Sequence, residues 1–280
     1  MGLVDFHVHL TAWGNVPEAE RRAYVESFPR CLDAAGLDRA VIFALDNELV
    51  ARTVAKAPDR LTAFAFLDPR RPETPDRLEQ YVKEHGFRGL KMSTSGGPIE
   101  DEGFYPNDVA CFPTFARAQD LGVPVLVHAG LIYCNPDDPG GTRTKYCLPI
   151  YLDDVAREFP NLKLVVAHGG RPFVDQTIAL SLMPNVYVDV SWSLLPLTMW
   201  PDLIRRLLDT FGPERVIYGS DANWREPSRL RTRFEECRRI LRQELRVNAA
   251  TERNVLGANA ERLLDGDPAW RIVTEAIRTQ

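Results

Sequence analysis

Four of the five histidines in the chain lie in or directly after short apolar runs. One valine separates His7 from His9, so on a strand both side chains point to the same face and can grip one cation. His128 and His168 each end an apolar run and precede small residues that let a ligand approach. The pattern predicts a metal site. Histidines that are hydrogen-bonded in a polar core, or that cap a strand, are the alternative interpretation.

Two aspartates accompany these histidines. Asp221 ends a later apolar run and can bind a metal and accept a proton, although a lone aspartate there also suits a turn or a helix cap. Asp5 precedes His7 by two residues, so we expect it on the same strand face, one layer deeper. There it either orients a ligand imidazole or forms hydrogen bonds inside the protein. Imidazole and carboxylate donors without thiolates suit Zn²⁺, and also accept Mn²⁺, Fe²⁺ or Co²⁺.

Eight apolar runs, rich in β-branched residues, alternate with segments of helical period. The runs are Gly2–His9, Arg39–Asp46, Leu61–Leu67, Phe87–Ser93, Val123–His128, Lys163–His168, Val186–Trp192 and Arg215–Asp221. The helical segments are Pro17–Ala35, Glu48–Ala57, Pro75–His85, Asn107–Leu121, Pro149–Phe159, Phe173–Met183, Trp200–Phe211 and Ser228–Leu245. Near-continuous apolar runs are typical of parallel strands that are buried on both faces.

Eight strand–helix units predict an α/β fold, a (β/α)8 TIM barrel that forms one domain over residues 1–280. Extra C-terminal helices near Asn248–Leu264 and Pro268–Arg278 would close the barrel or pack on its outside. A doubly wound open sheet alternates in the same way but usually has about five or six strands. In a barrel the carboxyl ends of all strands surround one mouth, so the four histidines and Asp221 are expected to converge there.

Composition narrows the class of partner. The 280 residues carry 34 Lys and Arg against 39 Asp and Glu, a formal net charge of −5. This mild acidity without a basic run argues against nucleic acid or membrane as a partner, and no apolar stretch is long enough to span a bilayer. The first residues lack a signal-peptide pattern and the five cysteines are odd in number, so we expect reduced thiols and a cytoplasmic location. The expected partner is a small-molecule substrate, and a homodimer is kept open.

The order of motifs along the chain resembles the amidohydrolase superfamily, in particular the amidohydrolase-related branch that includes aminocarboxymuconate-semialdehyde decarboxylase. The matching motifs are DFHVH (Asp5–His9), PVLVHAG (Pro124–Gly130), FPNLKLVVAHGG (Phe159–Gly170), VYVDVS (Val186–Ser191), RVIYGSD (Arg215–Asp221) and NVLGANAERLL (Asn254–Leu264). The resemblance implies one divalent metal ion, expected to be zinc, with four protein ligands: His7, His9, His128 and Asp221. His168 would stand beside the metal as general base or acid, and Asp221 would share in the catalysis.

Lys91 lies near the end of the fourth predicted strand. Members of the superfamily with two metals carry a bridging carboxylated lysine, or a glutamate, near this place. A lysine that pairs with the substrate or with a carboxylate is the alternative role for Lys91. The stretch Arg88–Gly97 contains no glutamate.

Further residues are candidates for substrate binding. The segment Leu131–Leu148 is long, polar and rich in Gly and Pro, and it follows the strand that carries His128. Its Arg143 and Lys145 would meet a substrate carboxylate, unless the segment is an ordinary solvated loop. Two tryptophans, Trp13 and Trp192, would wall a pocket for a flat substrate or simply pack in the protein.

These expectations favour a metal-dependent hydrolase that acts on a small carboxylate, lactone or amide through an activated water. A metal-dependent decarboxylase that acts without oxidation is the alternative of the same fold, because both reactions use a metal, His168 and Asp221. A barrel that binds a metabolite without catalysis is the third possibility. It would not need His168 and Asp221 beside a full ligand set.

Overall fold

The computed structural model describes residues 2–10, 17–96, 102–132, 142–191, 199–223 and 227–265. Each of the eight apolar runs contains a strand, and one run contains two. The strands are β1 (Val4–His9), β2 (Arg39–Phe43), β3 (Leu61–Ala63), β4 (Ala65–Phe66), β5 (Leu90–Met92), β6 (Val125–Val127), β7 (Leu164–Val166), β8 (Val186–Asp189) and β9 (Val216–Ile217).

The helices follow the predicted alternation. They are α1 (Glu18–Ala35), α2 (Asn47–Val54), α3 (Thr74–His85), α4 (Phe112–Asp120), α5 (Leu152–Glu158), α6 (Val174–Ala179), α7 (Trp200–Phe211), α8 (Ser228–Arg239), α9 (Ala249–Arg253) and α10 (Asn259–Asp265). Short 3₁₀ turns adjoin α4, α5 and α6, and π-helical turns follow α8 and α9. The predicted helix Pro268–Arg278 lies outside the described residues. Within those residues, no helix is long and apolar enough to cross a membrane.

All strand pairs are parallel, in the orders β1-β2-β3 and β4-β5-β6-β7-β8-β9. The predicted third strand is divided at Phe64, whose amide donates to the carbonyl of Ile42 on one side (3.0 Å). The next amide, that of Ala65, donates to the carbonyl of Gly89 on the other side (2.9 Å). Each neighbouring strand therefore pairs with half of this run, and the two sheets are joined through it.

Hydrogen bonds between the first and last strands close the barrel. The amide of Phe6 donates to the carbonyl of Tyr218 (3.1 Å), directly after β9. Farther along, the amide of His9 donates to the carbonyl of Ala222 (2.9 Å). The (β/α)8 barrel is thus confirmed, and the carboxyl ends of its strands meet at one mouth.

Alternating side chains divide the core into two parts. The inner cluster fills the barrel and takes one set from the strands: Val4, Phe6, Val41, Phe43, Phe64, Phe66, Leu126, Val165, Ala167 and Ile217. The outer cluster lies between strands and helices. Three residues of α10, namely Ala260, Leu263 and Leu264, join the inner cluster. The amide of Gly2 donates to Glu261 of α10 (2.9 Å). This C-terminal helix therefore closes the amino end of the barrel, which is one of the two arrangements that the sequence predicted.

One expectation about β1 is wrong. The pairing of β1 with β2 shifts register between Asp5 and Val8, which marks a bulge. Val4 and Phe6 therefore belong to the inner cluster, whereas Val8 and Leu10 belong to the outer one. Asp5 alternates with the inward residues before the bulge, so it does not share a face with the histidines that follow.

Candidate metal centre

The first strand and the end of the last strand bring three potential metal ligands together. Nε2 of His9 lies 3.3 Å from Oδ1 of Asp221, and Nε2 of His7 lies 3.5 Å from the same oxygen. One ligand atom from each residue lies within 4.8 Å of the other two. The side chain of His7 is fully buried, whereas those of His9 and Asp221 are 16% and 25% exposed. The group therefore opens from the barrel interior toward solvent, as a site for a small molecule requires.

A carboxylate that the sequence analysis did not single out holds this group in place. Asp189, at the end of β8, is fully buried, and its Oδ2 accepts a hydrogen bond from Nδ1 of His7 (2.8 Å). Its Oδ1 accepts from the backbone amides of His168 (2.8 Å) and Ser191 (2.9 Å), and also from the hydroxyl of Ser191. Strand alternation could have found this pair, because Asp189 and Ser191 are two residues apart and both face inward.

Asp5 plays another part than expected. Its Oδ1 accepts from the backbone amides of His7 (3.1 Å) and Ser220 (2.9 Å). The carboxylate that orients the His7 imidazole is thus Asp189, while Asp5 ties the bulged strand to the segment after β9. Metal-binding histidines commonly donate their second N–H to a carboxylate in this way.

The hydrogen bonds assign a tautomer to each imidazole in the chain of contacts that starts at Asp189. The hydroxyl of Ser191 gives its only hydrogen to Asp189, so at 2.7 Å it must accept one from Nδ1 of His168. Nε2 of His168 then has a lone pair, and it lies 3.2 Å from Nδ1 of His128. That nitrogen of His128 must donate, which leaves the lone pair of His128 on Nε2.

Local backbone geometry aims two of these side chains. His168 (φ 58°) and Asp221 (φ 54°) both adopt the left-handed conformation, which is uncommon for residues other than glycine. Such strain concentrates at functional sites, where the surrounding structure enforces it. Gly219 makes room for His7, because a Cβ at position 219 would lie 2.6 Å from Cβ of His7.

Burial governs the ionisation of the site. It lowers the pKa of all four site histidines, and that of His168 falls to about 4, so these imidazoles are neutral at pH 7. Burial opposes ionisation of Asp189 and Asp221 as well, but the neighbouring imidazoles His7 and His9 outweigh it and hold both pKa values well below the usual range. Neutral imidazoles beside ionised carboxylates form a set that accepts a cation.

The residues present fit a divalent metal ion. Two imidazole nitrogens and one carboxylate oxygen converge in the group of His7, His9 and Asp221. A second potential ligand group in the described chain consists of His7, His168 and Asp189, and neither group contains a cysteine. Nε2 of His128 is buried and has no hydrogen-bond partner, although its lone pair is available. His128 itself lies beside His168 and outside the group of His7, His9 and Asp221. Its role as fourth ligand, and the roles of the other residues, stay predictions.

Lys91 reaches the same place from β5. Its side chain is 1% exposed, and its Nζ lies 3.5 Å from Nε2 of His7 and 5.1 Å from the ring centre of Phe43. Burial lowers the pKa of Lys91 to about 8. The expected neighbourhood of Lys91 and the histidines is therefore present. The structure does not test whether the amine is carboxylated.

Two further predicted substrate-binding residues, Arg143 and Lys145, are described and do not belong to this group. Arg143 and Lys145 are exposed, and the ammonium of Lys145 lies over the ring of Tyr146, 4.6 Å from its centre. Trp13 and Trp192 lie outside the described residues, as do residues 133–141 of the segment Leu131–Leu148.

Curated relatives include enzymes of two reaction types. A dihydroorotase of Laribacter hongkongensis (strain HLHK9) is 26% identical over 177 residues, which cover 59% of this chain and 48% of that protein. A 2-amino-3-carboxymuconate-6-semialdehyde decarboxylase of Dictyostelium discoideum is 22% identical over 252 residues, which cover 79% of this chain and 66% of that protein. The chain spans about half the length of the dihydroorotases that it matches.

Solved structures support the fold. A dihydroxybenzoic acid decarboxylase of Polaromonas sp. JS666, with bound manganese and 2-nitroresorcinol, has a TM-score of 0.67 at 17% identity, and the match covers 94% of this chain and 97% of that one. A probable 2-pyrone-4,6-dicarboxylic acid hydrolase of Acinetobacter baumannii, with citric acid bound, has a TM-score of 0.68 at 16% identity, with 95% and 100% covered.

Family membership rests on the whole chain. The model of the family described as Amidohydrolase matches residues 4–266, which include every described residue of the site. This match agrees with the motif order along the sequence and with the parallel barrel of the structure. The chain belongs to the amidohydrolase family.

Proposed function

We propose that this protein is a metal-dependent hydrolase that acts on a small carboxylate, lactone or amide. The observation that carries the proposal is the juxtaposition of a cation-binding group with a further imidazole, that of His168, which can act as a base. His7, His9 and Asp221 supply convergent ligand atoms, while His168 is fixed beside them through Ser191 and Asp189. A histidine cluster with a purely structural role would not require a neutral imidazole that a buried carboxylate orients through a serine hydroxyl.

The residues divide the work. His7, His9, Asp221 and the free nitrogen of His128 would hold one divalent ion, which we propose to be zinc. When bound, such an ion lowers the pKa of water and polarises a carbonyl oxygen. His168 would accept the proton from water at Nε2, the nitrogen that carries its lone pair, once the hydrogen bond that this nitrogen accepts from Nδ1 of His128 is exchanged for one from water. It then returns the proton to the leaving group of the substrate.

The geometry around His168 suits a base that is neutral before the reaction. Its Nδ1 donates to the hydroxyl of Ser191, which donates in turn to Asp189. The buried carboxylate stabilises the imidazolium that forms when Nε2 takes a proton. Because burial keeps the pKa of His168 low, the proton is passed on readily instead of being retained.

Decarboxylation is the second candidate. It is favoured by the similarity to the Dictyostelium discoideum decarboxylase over 79% of this chain. Here His168 would deliver a proton to the carbon atom that loses carbon dioxide. This role needs a protonated imidazole at the start, whereas burial keeps His168 neutral at pH 7. Hydrolysis is therefore the preferred proposal.

Isotope incorporation separates the two reactions. The zinc-loaded protein is incubated with panels of lactones, cyclic amides and aromatic carboxylates in H₂¹⁸O and, separately, in D₂O. Hydrolysis places ¹⁸O in a new carboxylate and releases no carbon dioxide. Decarboxylation releases carbon dioxide and places deuterium on carbon. A His168→Asn variant controls for contaminating enzymes, and carbon dioxide release that this variant abolishes would replace the hydrolase proposal with the second candidate.

A further inference from the structure

Arg171 is a buried cation whose guanidinium has no hydrogen-bond or ion-pair partner in the described part of the chain. Its side chain is 1% exposed, and Nε, Nη1 and Nη2 of the guanidinium are all buried without a hydrogen bond. Among the described residues, no carboxylate forms an ion pair with Arg171. Burial lowers the pKa of Arg171 to about 10, so the side chain is still charged at neutral pH.

The backbone of Arg171 belongs to the mouth of the barrel. Its amide donates to the carbonyl of His168 (3.2 Å), just past β7. Its own carbonyl accepts from the amide of Leu131 (2.7 Å), in the segment that follows β6. The residue thus joins the two segments that follow the strands carrying His128 and His168.

Gly130 shows how closely the two segments meet. Its φ is +93°, and a Cβ at this position would lie 2.0 Å from the carbonyl oxygen of Arg171. The close approach fixes the backbone of Arg171 and therefore the point from which its side chain starts. A charged side chain that starts from such a rigid backbone suits recognition of a ligand better than contact with solvent.

A buried guanidinium with five N–H donors and no acceptor is costly for a folded protein. Other arginines of the chain avoid that cost. Arg215 is also partly buried, but its guanidinium donates to the backbone carbonyls of Phe211, Met183, Val186 and Ser181. The open donors of Arg171 therefore indicate an acceptor that the described part of the polypeptide does not supply.

We propose that Arg171 binds a carboxylate group of the substrate at the mouth of the barrel. The planar guanidinium matches a carboxylate with two parallel hydrogen bonds, which also fixes the orientation of the bound molecule. This inference rests on the proposed function in one respect: the proposed function is the reason for taking the bound carboxylate to be part of the substrate. It is an alternative to the prediction that Arg143 and Lys145, whose side chains are both exposed, bind the substrate carboxylate.

The test compares Arg171→Met with the matched control Arg215→Met. Both variants and the wild-type protein are loaded with zinc, their metal content is measured, and thermal unfolding is followed with acetate or malonate. Acetamide and malonamide serve as neutral counterparts of these probes. No turnover is required, so the result is independent of whether the protein is a hydrolase.

Removal of an unpartnered buried charge should stabilise the protein. Without added anion we expect Arg171→Met to raise the Tm by about 2 °C or more, and Arg215→Met to lower it. A carboxylate probe should raise the Tm of the wild-type protein and of Arg215→Met, whereas the amides should not. Its apparent Kd for Arg171→Met should be weaker by about 10- to 100-fold.

Three results would overturn the proposal. In the first, the Tm of Arg171→Met is lowered as much as that of Arg215→Met. In the second, malonate stabilises the wild-type protein and Arg171→Met equally. In the third, neither carboxylate stabilises the wild-type protein. If Arg171→Met does not fold, Arg171→Lys takes its place. It keeps a charge but not the planar fork, so its carboxylate affinity should still fall.

Discussion

At the scale of single residues, the site depends on one buried carboxylate. Asp189 receives a hydrogen bond from His7 directly and orients His168 through Ser191. Through His168 it also determines which nitrogen of His128 keeps a lone pair. A single anion thus sets the tautomers of three imidazoles, and each of them carries its lone pair on Nε2, the nitrogen that can bind a cation or a proton.

The division between ligands and base can be tested by metal content. We expect His7→Ala and Asp221→Asn to lose most of the metal, because each removes or weakens a member of the convergent group. His168→Asn should keep the metal and lose turnover by about 10²- to 10⁴-fold. Asparagine is chosen because it tolerates the left-handed backbone at His168 and Asp221. The measurement is elemental analysis after extensive dialysis, with His85→Ala as control. Equal metal loss in His168→Asn would make His168 a ligand.

We expect the hydrogen bond to Ser191 to favour one tautomer of His168, and NMR can measure which ring nitrogen carries the proton. In Ser191→Ala, Nδ1 of His168 loses the acceptor that lies 2.7 Å away. Long-range ¹⁵N–¹H spectra should show the Nδ1–H form in the wild-type protein and a mixture in the variant. Ser220→Ala is the matched control, because that buried hydroxyl accepts from the amide of Ala222 and from no imidazole in the described hydrogen bonds. An unchanged His168 spectrum in Ser191→Ala would remove Ser191 from the relay.

At the scale of elements, strand periodicity could have predicted parts of the site to which the residue types drew no attention. Alternation alone places Lys91 inward between Leu90 and Met92, and the structure finds it there. The same argument applies to Asp189 at the end of β8 and to Ser191 just after it, which entered the sequence analysis only within the motif VYVDVS. Arg171 carried no such signal, because it follows a left-handed residue after which strand alternation no longer applies.

Sequence periodicity failed where the backbone departs from a regular strand. The bulge in β1 moves Asp5 to the outer face, and no residue type in DFHVH marks an extra residue. The ends of the strands were overestimated for a related reason: apolar side chains continue past the last paired residue, as Leu67 does after β4. Barrel, strand order and mouth could thus be predicted, while register and local turns depend on tertiary contacts.

Two glycines separate the effect of backbone conformation from that of packing. Gly36 and Gly130 both have positive φ, but a Cβ at Gly36 would meet nothing within 4 Å. We expect Gly36→Ala to cost about 1 kcal/mol in the free energy of unfolding, the strain of a left-handed alanine. Gly130→Ala should cost about 3 kcal/mol or more, because the new methyl group overlaps the carbonyl of Arg171. Urea denaturation measures both, and equal losses would show that the two segments can move apart.

At the scale of the whole molecule, the two ends of the barrel have different tasks. At the amino end, Leu263 and Leu264 of α10 extend the inner apolar cluster. At the carboxyl end the same interior becomes polar, with the buried Lys91, His7 and His168 and the partly buried His9 and His128 in place of aliphatic side chains. Because burial favours the neutral form of these imidazoles, the stability of the metal-free protein depends on pH.

The direction of that dependence follows from the pKa values. Burial lowers the pKa of the four site histidines below 6.5, and that of His168 to about 4. As pH falls below 6.5, the unfolded chain therefore takes up protons that the folded protein does not, and the free energy of unfolding decreases. Each such histidine contributes a slope of about 1.4 kcal/mol per pH unit. Asp5, whose pKa burial raises to about 7, acts in the opposite sense and offsets about one histidine.

We therefore expect the metal-free protein to keep its stability from pH 8 to about 6.5 and to lose it steeply toward pH 4. The check is urea denaturation after treatment with a chelator, at intervals of half a pH unit. His168→Asn should reduce the slope by about one proton, because asparagine does not titrate, whereas His85→Ala serves as a control outside the site. Bound metal keeps its histidine ligands unprotonated, so zinc should move the onset of the loss to lower pH. A free energy of unfolding that stays constant from pH 6.5 to 4 in the metal-free protein would contradict buried, neutral imidazoles at the mouth of this barrel.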